Sequence, residues 1–267
     1  MINNYTVIDA HCHIYPEKIA ARAVGGTDAF YGVVSAHDGT VAGLMATAAA
    51  GIDRFIVQSV ATTPHQVASI NEFIAASVAA SDGRMIGLGT LHPDSEDIAG
   101  DIAHLQSLGL RGVKLHPDIQ NFRIDDYRNL KIYELCEREG LPILMHTGDS
   151  RYDNSNPNRL LPILEIYTGL TVIGAHFGGF SVWDEAAQKL AGIPNLYVDC
   201  SSAFGFIRDR DKARALIRAY GADRVLFGTD YPMWDAQSEL DYLMSLHLTD
   251  DEYRGILGEN AIRLFHL

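Results

Sequence analysis

Short apolar segments alternate with helical patterns along almost the whole chain of 267 residues, and this alternation narrows the possible folds more than any other feature. Eight segments are rich in apolar residues, from TVIDAHCH at residues 6–13 to VLFGTDYP at residues 225–232. Several are apolar at nearly every position, as strands buried on both faces of a parallel sheet should be. Eight strand–helix units in about 250 residues predict an α/β protein with a closed (β/α)8 barrel.

An open, doubly wound sheet is built from the same strand–helix units. No Gly-rich dinucleotide fingerprint follows the first apolar segment, which argues against that arrangement. The last segment, DDEYRGILGENAIRLFHL at residues 250–267, has the pattern of a pair of capping helices. No linker divides the sequence, so we predict a single barrel domain over residues 1–267.

Composition excludes several classes of partner. The formal charge of −13 argues against binding to nucleic acid or to anionic membrane surfaces, which attract basic proteins. No apolar segment is long enough to cross a membrane, and the first residues show no signal-peptide pattern. The three cysteines form no disulfide framework. We therefore expect a cytoplasmic protein that acts on a small molecule, with a homodimer as the default assembly.

Potential metal ligands occur at the carboxyl ends of most predicted strands, where barrel enzymes place their active sites. These positions are His11, His13, His92, Lys114, His116, His146, His176 and Asp230. Side chains two residues apart on a strand share a face, so His11 and His13 point together and Cys12 points away. Any one of these histidines could instead be a hydrogen-bonded core residue, and His92 and His116, each followed by proline, could simply orient a loop.

Five of these residues are difficult to explain as a coincidence: His11, His13, His146, His176 and Asp230. Buried titratable groups at one barrel mouth would repel or remain unsatisfied unless a cation neutralises the carboxylate and takes the imidazole lone pairs. Imidazole and carboxylate ligands suit zinc, and also manganese, iron or cobalt. Three histidines and one aspartate leave a coordination position open for water, which is typical of a catalytic site.

The segments DAHCHIYP, GVKLHP, LMHTG, GAHFGG and FGTDYP together resemble the amidohydrolase superfamily. Within it the chain is similar to the amidohydrolase-2 branch, the metal-dependent hydrolases related to aminocarboxymuconate semialdehyde decarboxylase. The similarity extends along the whole chain, and ILGENAIRLF resembles the closing helix of that branch. The resemblance implies a distorted (β/α)8 TIM barrel with a metal at its mouth.

The resemblance also implies a role for each matching residue. The implied metal ligands are His11, His13, His146 and Asp230. Asp230 is in addition a proton acceptor, and His176 acts on the substrate or on bound water. Some superfamily members carry a carboxylated lysine on strand four that bridges two metals, but Lys114 lies two residues before the end of that strand. We therefore predict one divalent metal ion, with zinc as the first choice. The predicted substrate-binding residues are Lys114, His116 and Arg151.

Two reactions fit this predicted site. The first is hydrolysis of an amide, a lactone or another ester by a metal-activated water, with Asp230 accepting the proton and His176 supporting the oxyanion. The second is decarboxylation of a small aromatic or unsaturated acid, because the same branch includes decarboxylases. A third hypothesis is a barrel that binds metal or a ligand without turnover, against which the intact ligand set argues. We predict a metal-dependent hydrolase, with a decarboxylase as the alternative.

Overall fold

Parallel strands and intervening helices build the whole of the chain that the computed structural model describes, residues 5–267. The strands are β1 Ile8–His13, β2 Arg54–Gln58, β3 Met85–Gly87, β4 Gly89–Thr90, β5 Val113–Leu115, β6 Ile143–Met145, β7 Val172–Gly174, β8 Leu196–Asp199 and β9 Val225–Leu226. β3 and β4 are two halves of one strand that is interrupted at Leu88. The strands therefore occupy eight positions, and these are the eight apolar segments of the sequence.

The strands form a ring. The hydrogen-bonded order is β1-β2-β3 in one sheet and β4-β5-β6-β7-β8-β9 in the other, and all pairs are parallel. The remaining gap is closed by the Ala10 N–H, which donates to the Phe227 carbonyl at 2.9 Å, and by a parallel bridge between Cys12 and Tyr231. The predicted (β/α)8 barrel is confirmed, with a distortion where its third strand divides and at this narrow closure.

Helices surround the ring, mostly following the strands. They are α1 Glu17–Tyr31, α2 Val41–Thr47, α3 Val67–Ala79, α4 Ile98–Ser107, α5 Pro117–Gln120, α6 Leu130–Glu139, α7 Pro157–Ile166, α8 Trp183–Leu190, α9 Arg210–Tyr220, α10 Ala236–Met244, α11 Asp250–Arg254 and α12 Asn260–Phe265. The last two are joined by a π-helical turn at Gly255–Glu259, so the expected capping pair is one continuous helical segment. No helix within residues 5–267 has both the length and the apolar character that a membrane crossing requires.

Two apolar clusters stabilise the barrel. The larger fills the layer between the strands and the surrounding helices, and it includes Cys12. The smaller lies inside the ring and combines inward-facing strand residues such as Ile56 and Leu144 with Ala261 and Phe265 of α12. The capping helix therefore closes the amino-terminal end of the barrel, and the opposite end is left open for a pocket.

A β-bulge in β1 decides which side chains reach that pocket. Pairing with β2 shifts register between Asp9 and Cys12, so that β1 carries one more residue than its partner there. Ala10 faces the barrel interior, and the extra residue then brings His11 and His13 to the inner side as well. A bulge re-aims side chains in this way, and it is common beside active sites.

Candidate active site

A cavity of about 910 Å³ opens at the carboxyl ends of the strands. Seven of the predicted site residues line it: His11, His13, Lys114, His116, His146, His176 and Asp230. Its outer walls come from helix α1 and from the segment around the start of α3. Polar strand-end residues thus form the inner end of the cavity, and mainly apolar helical residues form the rest.

His11, His13 and Asp230 converge on one point. The Nε2 atoms of the two histidines lie 3.2 Å apart, and Asp230 Oδ1 lies 3.3 Å from His11 Nε2 and 3.7 Å from His13 Nε2. Four ligands about 2.0–2.1 Å from a tetrahedral zinc ion are separated from one another by about 3.3 Å. The donor atoms therefore have the identity and the spacing that a divalent metal requires.

Asp199 orients His11, the first of these residues. His11 Nδ1 lies 2.9 Å from Asp199 Oδ2, and both side chains are fully buried. The other carboxylate oxygen of Asp199 accepts from the Ser201 hydroxyl and from the backbone N–H of His176. A carboxylate behind a histidine ligand fixes its tautomer and ring orientation, so Asp199 belongs to the site although it is not a predicted ligand.

His146 faces a different set of groups. Its Nδ1 lies 3.2 Å from His176 Nε2, and its Nε2 lies 3.7 Å from Asp118 Oδ2 and 3.5 Å from the Tyr31 hydroxyl. Its ring stacks on that of His116, with centroids 3.9 Å apart and planes 7° apart. The structure therefore groups His146 with His116 and Asp118, and it brings together only three of the four predicted ligands.

Two site residues adopt left-handed backbone conformations at strand ends. His176 and Asp230 each have φ of 58°, a region that costs a non-glycine residue about 1–3 kcal/mol and is concentrated at functional sites. His176 is held by its Nδ1, which donates to the Ser201 carbonyl at 2.9 Å. Asp230 Oδ2 accepts from the Ser202 hydroxyl at 2.6 Å. These contacts fix the two side chains at the inner end of the cavity.

Burial determines the protonation of the pocket. Burial, with Lys114 and other histidines nearby, lowers the pKa of His13, His116 and His146 well below the usual imidazole value, so their lone pairs are available at neutral pH. Burial also lowers the pKa of Lys114, to about 8, which leaves it mostly cationic at pH 7. Burial would raise the pKa of Asp230, but the histidines around it outweigh burial and lower that pKa.

Lys114 is a buried cation beside the group formed by His11, His13 and Asp230. Its side chain is 0% exposed, and its Nζ lies 3.1 Å from His11 Nε2. A buried ammonium is costly unless it has an anionic partner, and Lys114 lines the cavity where a ligand could supply one. This position fits the predicted contact with a substrate carboxylate.

Arg151 does not line the cavity. Its guanidinium is bound to the Asp149 carboxylate at 2.7 Å, and it donates to the Phe30 carbonyl at 2.6 Å. It also lies over the rings of Phe30 and Tyr31, 5.1 and 5.5 Å from their centroids. These contacts make Arg151 a support for the end of α1. The predicted contact of Arg151 with a substrate stays a prediction.

Tyr31 and Asp118 also line the cavity and are outside the predicted set. His92 has the alternative role given above, that of orienting a loop. The Tyr31 hydroxyl lies 2.8 Å from His116 Nε2, and the Asp118 carboxylate accepts from Ser155 at 2.6 Å. His92 Nδ1 accepts from the Asp94 N–H and so orients its loop. The sequence could have indicated Asp199, because an acidic residue within the apolar strand segment LYVDC is unusual. No local sequence pattern marks Tyr31 or Asp118 as site residues.

The sequence of this chain is similar to those of known proteins. The Amidohydro_2 family model, described as amidohydrolase, matches residues 8–267. A 2-amino-3-carboxymuconate-6-semialdehyde decarboxylase of Dictyostelium discoideum is 24% identical over an alignment of 200 residues, and the match covers 61% of this chain and 55% of the relative. The chain thus spans about half the length of the curated relative that it matches.

Solved structures show the same fold. A TIM-barrel protein from Bordetella bronchiseptica superimposes with a TM-score of 0.81 and 23% identity, over 98% of each chain. A 5-carboxyvanillate decarboxylase from Novosphingobium aromaticivorans, complexed with manganese and 4-hydroxy-3-methoxy-5-nitrobenzoic acid, superimposes with a TM-score of 0.75 and 16% identity. That match covers 100% of this chain and 97% of the decarboxylase.

Proposed function

This chain belongs to the amidohydrolase family, and from that premise we propose that it is a metal-dependent cytoplasmic enzyme that decarboxylates a small carboxylic acid. The observation that carries the proposal is the buried Lys114 ammonium, 3.1 Å from His11 Nε2 and facing the cavity. Among residues 5–267 Lys114 has no carboxylate within 4.0 Å, so a substrate carboxylate would suit both this buried cation and the metal ligands beside it. The decarboxylases among the similar proteins support the same reaction.

We propose that His11, His13 and Asp230 hold one divalent ion. We also propose that His146, which the structure groups with His116 and Asp118, would turn toward the ion as a fourth ligand. The donor atoms suit zinc, the first choice from the sequence, and equally manganese, which the similar 5-carboxyvanillate decarboxylase contains. When bound, the ion would act as a Lewis acid toward a carboxylate or neighbouring oxygen of the substrate.

The side chains of this protein would perform the remaining steps. Lys114 orients the carboxylate, and His176, held by the Ser201 carbonyl, presents its Nε2 to the pocket side. In decarboxylation the carbon–carbon bond breaks, carbon dioxide leaves with the carboxyl carbon, and the remaining carbon takes a proton. We assign the transfer of that proton to Asp230, whose Oδ2 is positioned by Ser202. Because its lowered pKa keeps the carboxylate ionised, Asp230 would first accept the proton from a water or a substrate hydroxyl and then pass it to the carbon.

Hydrolysis is the second candidate. Asp230 has a lowered pKa and lines the cavity next to His11 and His13, so it is suited to accept a proton from an attacking water. The two reactions use the same residues and differ in their products. Decarboxylation releases carbon dioxide, and hydrolysis releases an acid with an amine or an alcohol.

The test is a product assay with defined metal content. Purified protein is stripped with a chelator, reloaded with zinc or manganese, and supplied with aromatic and unsaturated carboxylic acids, lactones and amides. Carbon dioxide that appears only with metal, and that disappears in His11→Ala together with bound metal, would support decarboxylation. Turnover of the lactones or amides alone would assign hydrolysis. Full metal content in His11→Ala would contradict the proposed ligand set.

A further inference from the structure

The cavity continues beyond the histidines into a groove between two helices. One wall is α1, and its lining residues are four adjacent pairs spaced four residues apart, at positions 18–19, 22–23, 26–27 and 30–31. The facing wall is the start of α3. We define the α1–α3 groove by Ile19, Arg22, Ala23 and Gly26 on α1 with Ile70 and Phe73 on α3. Repeats of four place these side chains on a continuous helix face, so the groove follows the helices.

The groove is long and mostly apolar. From Gln66 to Phe73, which both line the cavity, the helix rises by about 10 Å, and from Lys18 to Gly26 by about 12 Å. The catalytic residues at the strand ends do not need this space. A cavity of about 910 Å³ is near the upper end of ligand pockets, which range over about 300–1,000 Å³. A single-ring acid at the metal end would leave the groove empty.

The charges in the cavity are separated. The acids in its wall are Asp118 and Asp230, both at the histidine end. The outer edge carries Lys18 and Arg22, one helical turn apart and both exposed. In the part of the chain from residue 5 to residue 267, neither cation has a carboxylate within 4.0 Å. An anionic group at the outer end of a ligand would meet them.

We propose that the α1–α3 groove is a second subsite, which binds the apolar body and a distal anionic group of a substrate longer than a single-ring acid. This inference rests on the proposed function, which places the reacting carboxylate at the metal end. The substrate class is then an amphiphilic dianion, with one carboxylate beside Lys114, an apolar body between Ala23 and Phe73, and a second anion near Arg22.

Two neighbouring glycines offer a matched test of the groove. Gly25 and Gly26 are both exposed on α1, and a Cβ at either position would meet no atom within 4 Å. Only Gly26 lines the cavity. Gly26→Leu would therefore fill the groove, and Gly25→Leu would make the same change in helix propensity outside it. Arg22→Gln removes the outer charge, and Arg111→Gln, at the opposite end of the barrel, is its control.

The experiment measures binding to the metal-loaded protein by calorimetry with three probes: benzoate, 4-hexylbenzoate and 4-(5-carboxypentyl)benzoate. We expect both long probes to bind at least about tenfold more tightly than benzoate, because their chains bury apolar surface in the groove. Gly26→Leu should remove this gain and leave benzoate unchanged, whereas Gly25→Leu should have no effect. Arg22→Gln should weaken only the dianionic probe, by up to about fivefold, in keeping with an exposed ion pair.

Equal affinities for the three probes, or equal losses in the two leucine variants, would overturn the proposal. A dimer in sedimentation that Gly26→Leu disrupts, with probe affinities unchanged, would assign the groove to a second copy of the chain and would also overturn it. These binding results are independent of the reaction. Long-probe binding that depends on Gly26 supports the groove even if no carbon dioxide is released, in which case the proposed function alone fails.

Discussion

The Nδ1 atom of His11 lies 2.9 Å from Oδ2 of Asp199, and neither side chain is exposed. A carboxylate accepts hydrogen bonds only, so the imidazole proton resides on Nδ1. The lone pair of His11 therefore lies on Nε2, the atom that faces His13 and Asp230. Asp199 thus orients His11 from the far side of its ring, as outer partners do for histidine ligands in many metal sites, which suits His11 to the metal-binding role that we propose.

The first prediction concerns this pair. Asp199→Asn should weaken metal binding by about 10- to 100-fold, because the amide no longer fixes the tautomer and orientation of His11. Competition with a chromophoric chelator measures the affinity, and circular dichroism checks the fold. Ser201→Ala is the comparison: it removes the hydroxyl that donates to the other Asp199 oxygen but keeps the carboxylate itself, so we expect a smaller loss of affinity than in Asp199→Asn. Unchanged affinity in Asp199→Asn would contradict the assignment.

The second prediction concerns Asp230. Asp230→Asn should reduce turnover by at least about 100-fold, because an amide neither accepts nor returns a proton at neutral pH. The amide oxygen can still accept from Ser202, 2.6 Å away in the wild type, so we expect the thermal midpoint to change little. Steady-state rates and thermal unfolding measure the two effects. Full activity with normal metal content would remove Asp230 from the proton transfer.

The third prediction uses Arg151, which supports the end of α1 at Phe30 and Tyr31. Arg151→Lys cannot keep the paired contact with Asp149 and the contact with α1 together. We expect KM to rise by about three- to tenfold with kcat nearly unchanged, as for a lost binding contribution. Hydrogen exchange of α1 amides should increase. Arg159→Lys, at the start of α7, is the control. A fall in kcat at constant KM would contradict a role in supporting the cavity wall.

The barrel was predictable because its signal is repeated eight times. Each strand is a buried apolar run, and a closed ring of such runs has few alternatives. Helix α1 was not predicted, since Gly25 and Gly26 lie in its middle and lower its helical propensity. This omission matters because α1 forms one wall of the cavity. Its position depends on tertiary contacts such as that of Arg151 with the Phe30 carbonyl, which no local pattern encodes.

The site was predictable to the extent that it depends on strand ends. Closure of the ring brings the end of β1 next to the segment that follows β9, so His11 and His13 lie close to Asp230. Simple alternation does not reveal the bulge that lets Ala10 and His11 both face inward, because a bulge is a property of the pairing with β2. The contacts of His146 with its neighbours depend on side-chain rotation, about which strand position says nothing.

The fourth prediction concerns Glu239, a buried residue of α10 whose Oε2 has no hydrogen-bond partner within residues 5–267. Burial, with Asp9 and Asp230 nearby, raises the pKa of Glu239 to about 8. An unfolded glutamate titrates near about 4.3, so the folded state binds the extra proton between these values. The stability from this group is complete below about pH 4 and is lost as the pH rises through about 8.

Glu239→Gln should therefore remove a pH dependence. Between pH 6 and pH 8 the free energy of unfolding of the wild type should fall relative to this variant by about 1 kcal/mol or more, and by no more than about 1.4 kcal/mol per pH unit. Urea denaturation at several pH values measures the difference. Asp241→Asn, on the exposed side of the same helix, is the control. Parallel curves for the wild type and Glu239→Gln would contradict the prediction.

The last prediction separates stability from function at Lys114. The ammonium is fully buried, and burying a charge costs free energy that its neighbours repay only in part. Lys114→Met keeps a similar volume without the charge, so the metal-free variant should be as stable as the wild type or more stable, by up to about 4 kcal/mol in urea denaturation. Binding of benzoate to the metal-loaded variant should weaken by about tenfold or more, since a charge-assisted contact is lost.

Leu115→Met is the matched control, because Leu115 is the next residue of β5 and lies in the apolar layer outside the ring. That volume-conserving change should lower the free energy of unfolding by less than about 1.5 kcal/mol and leave benzoate binding unchanged. A group that costs stability is typical of functional sites, where activity can require it. Loss of stability in Lys114→Met with unchanged benzoate affinity would make Lys114 a structural residue and would remove the observation on which the carboxylate assignment rests.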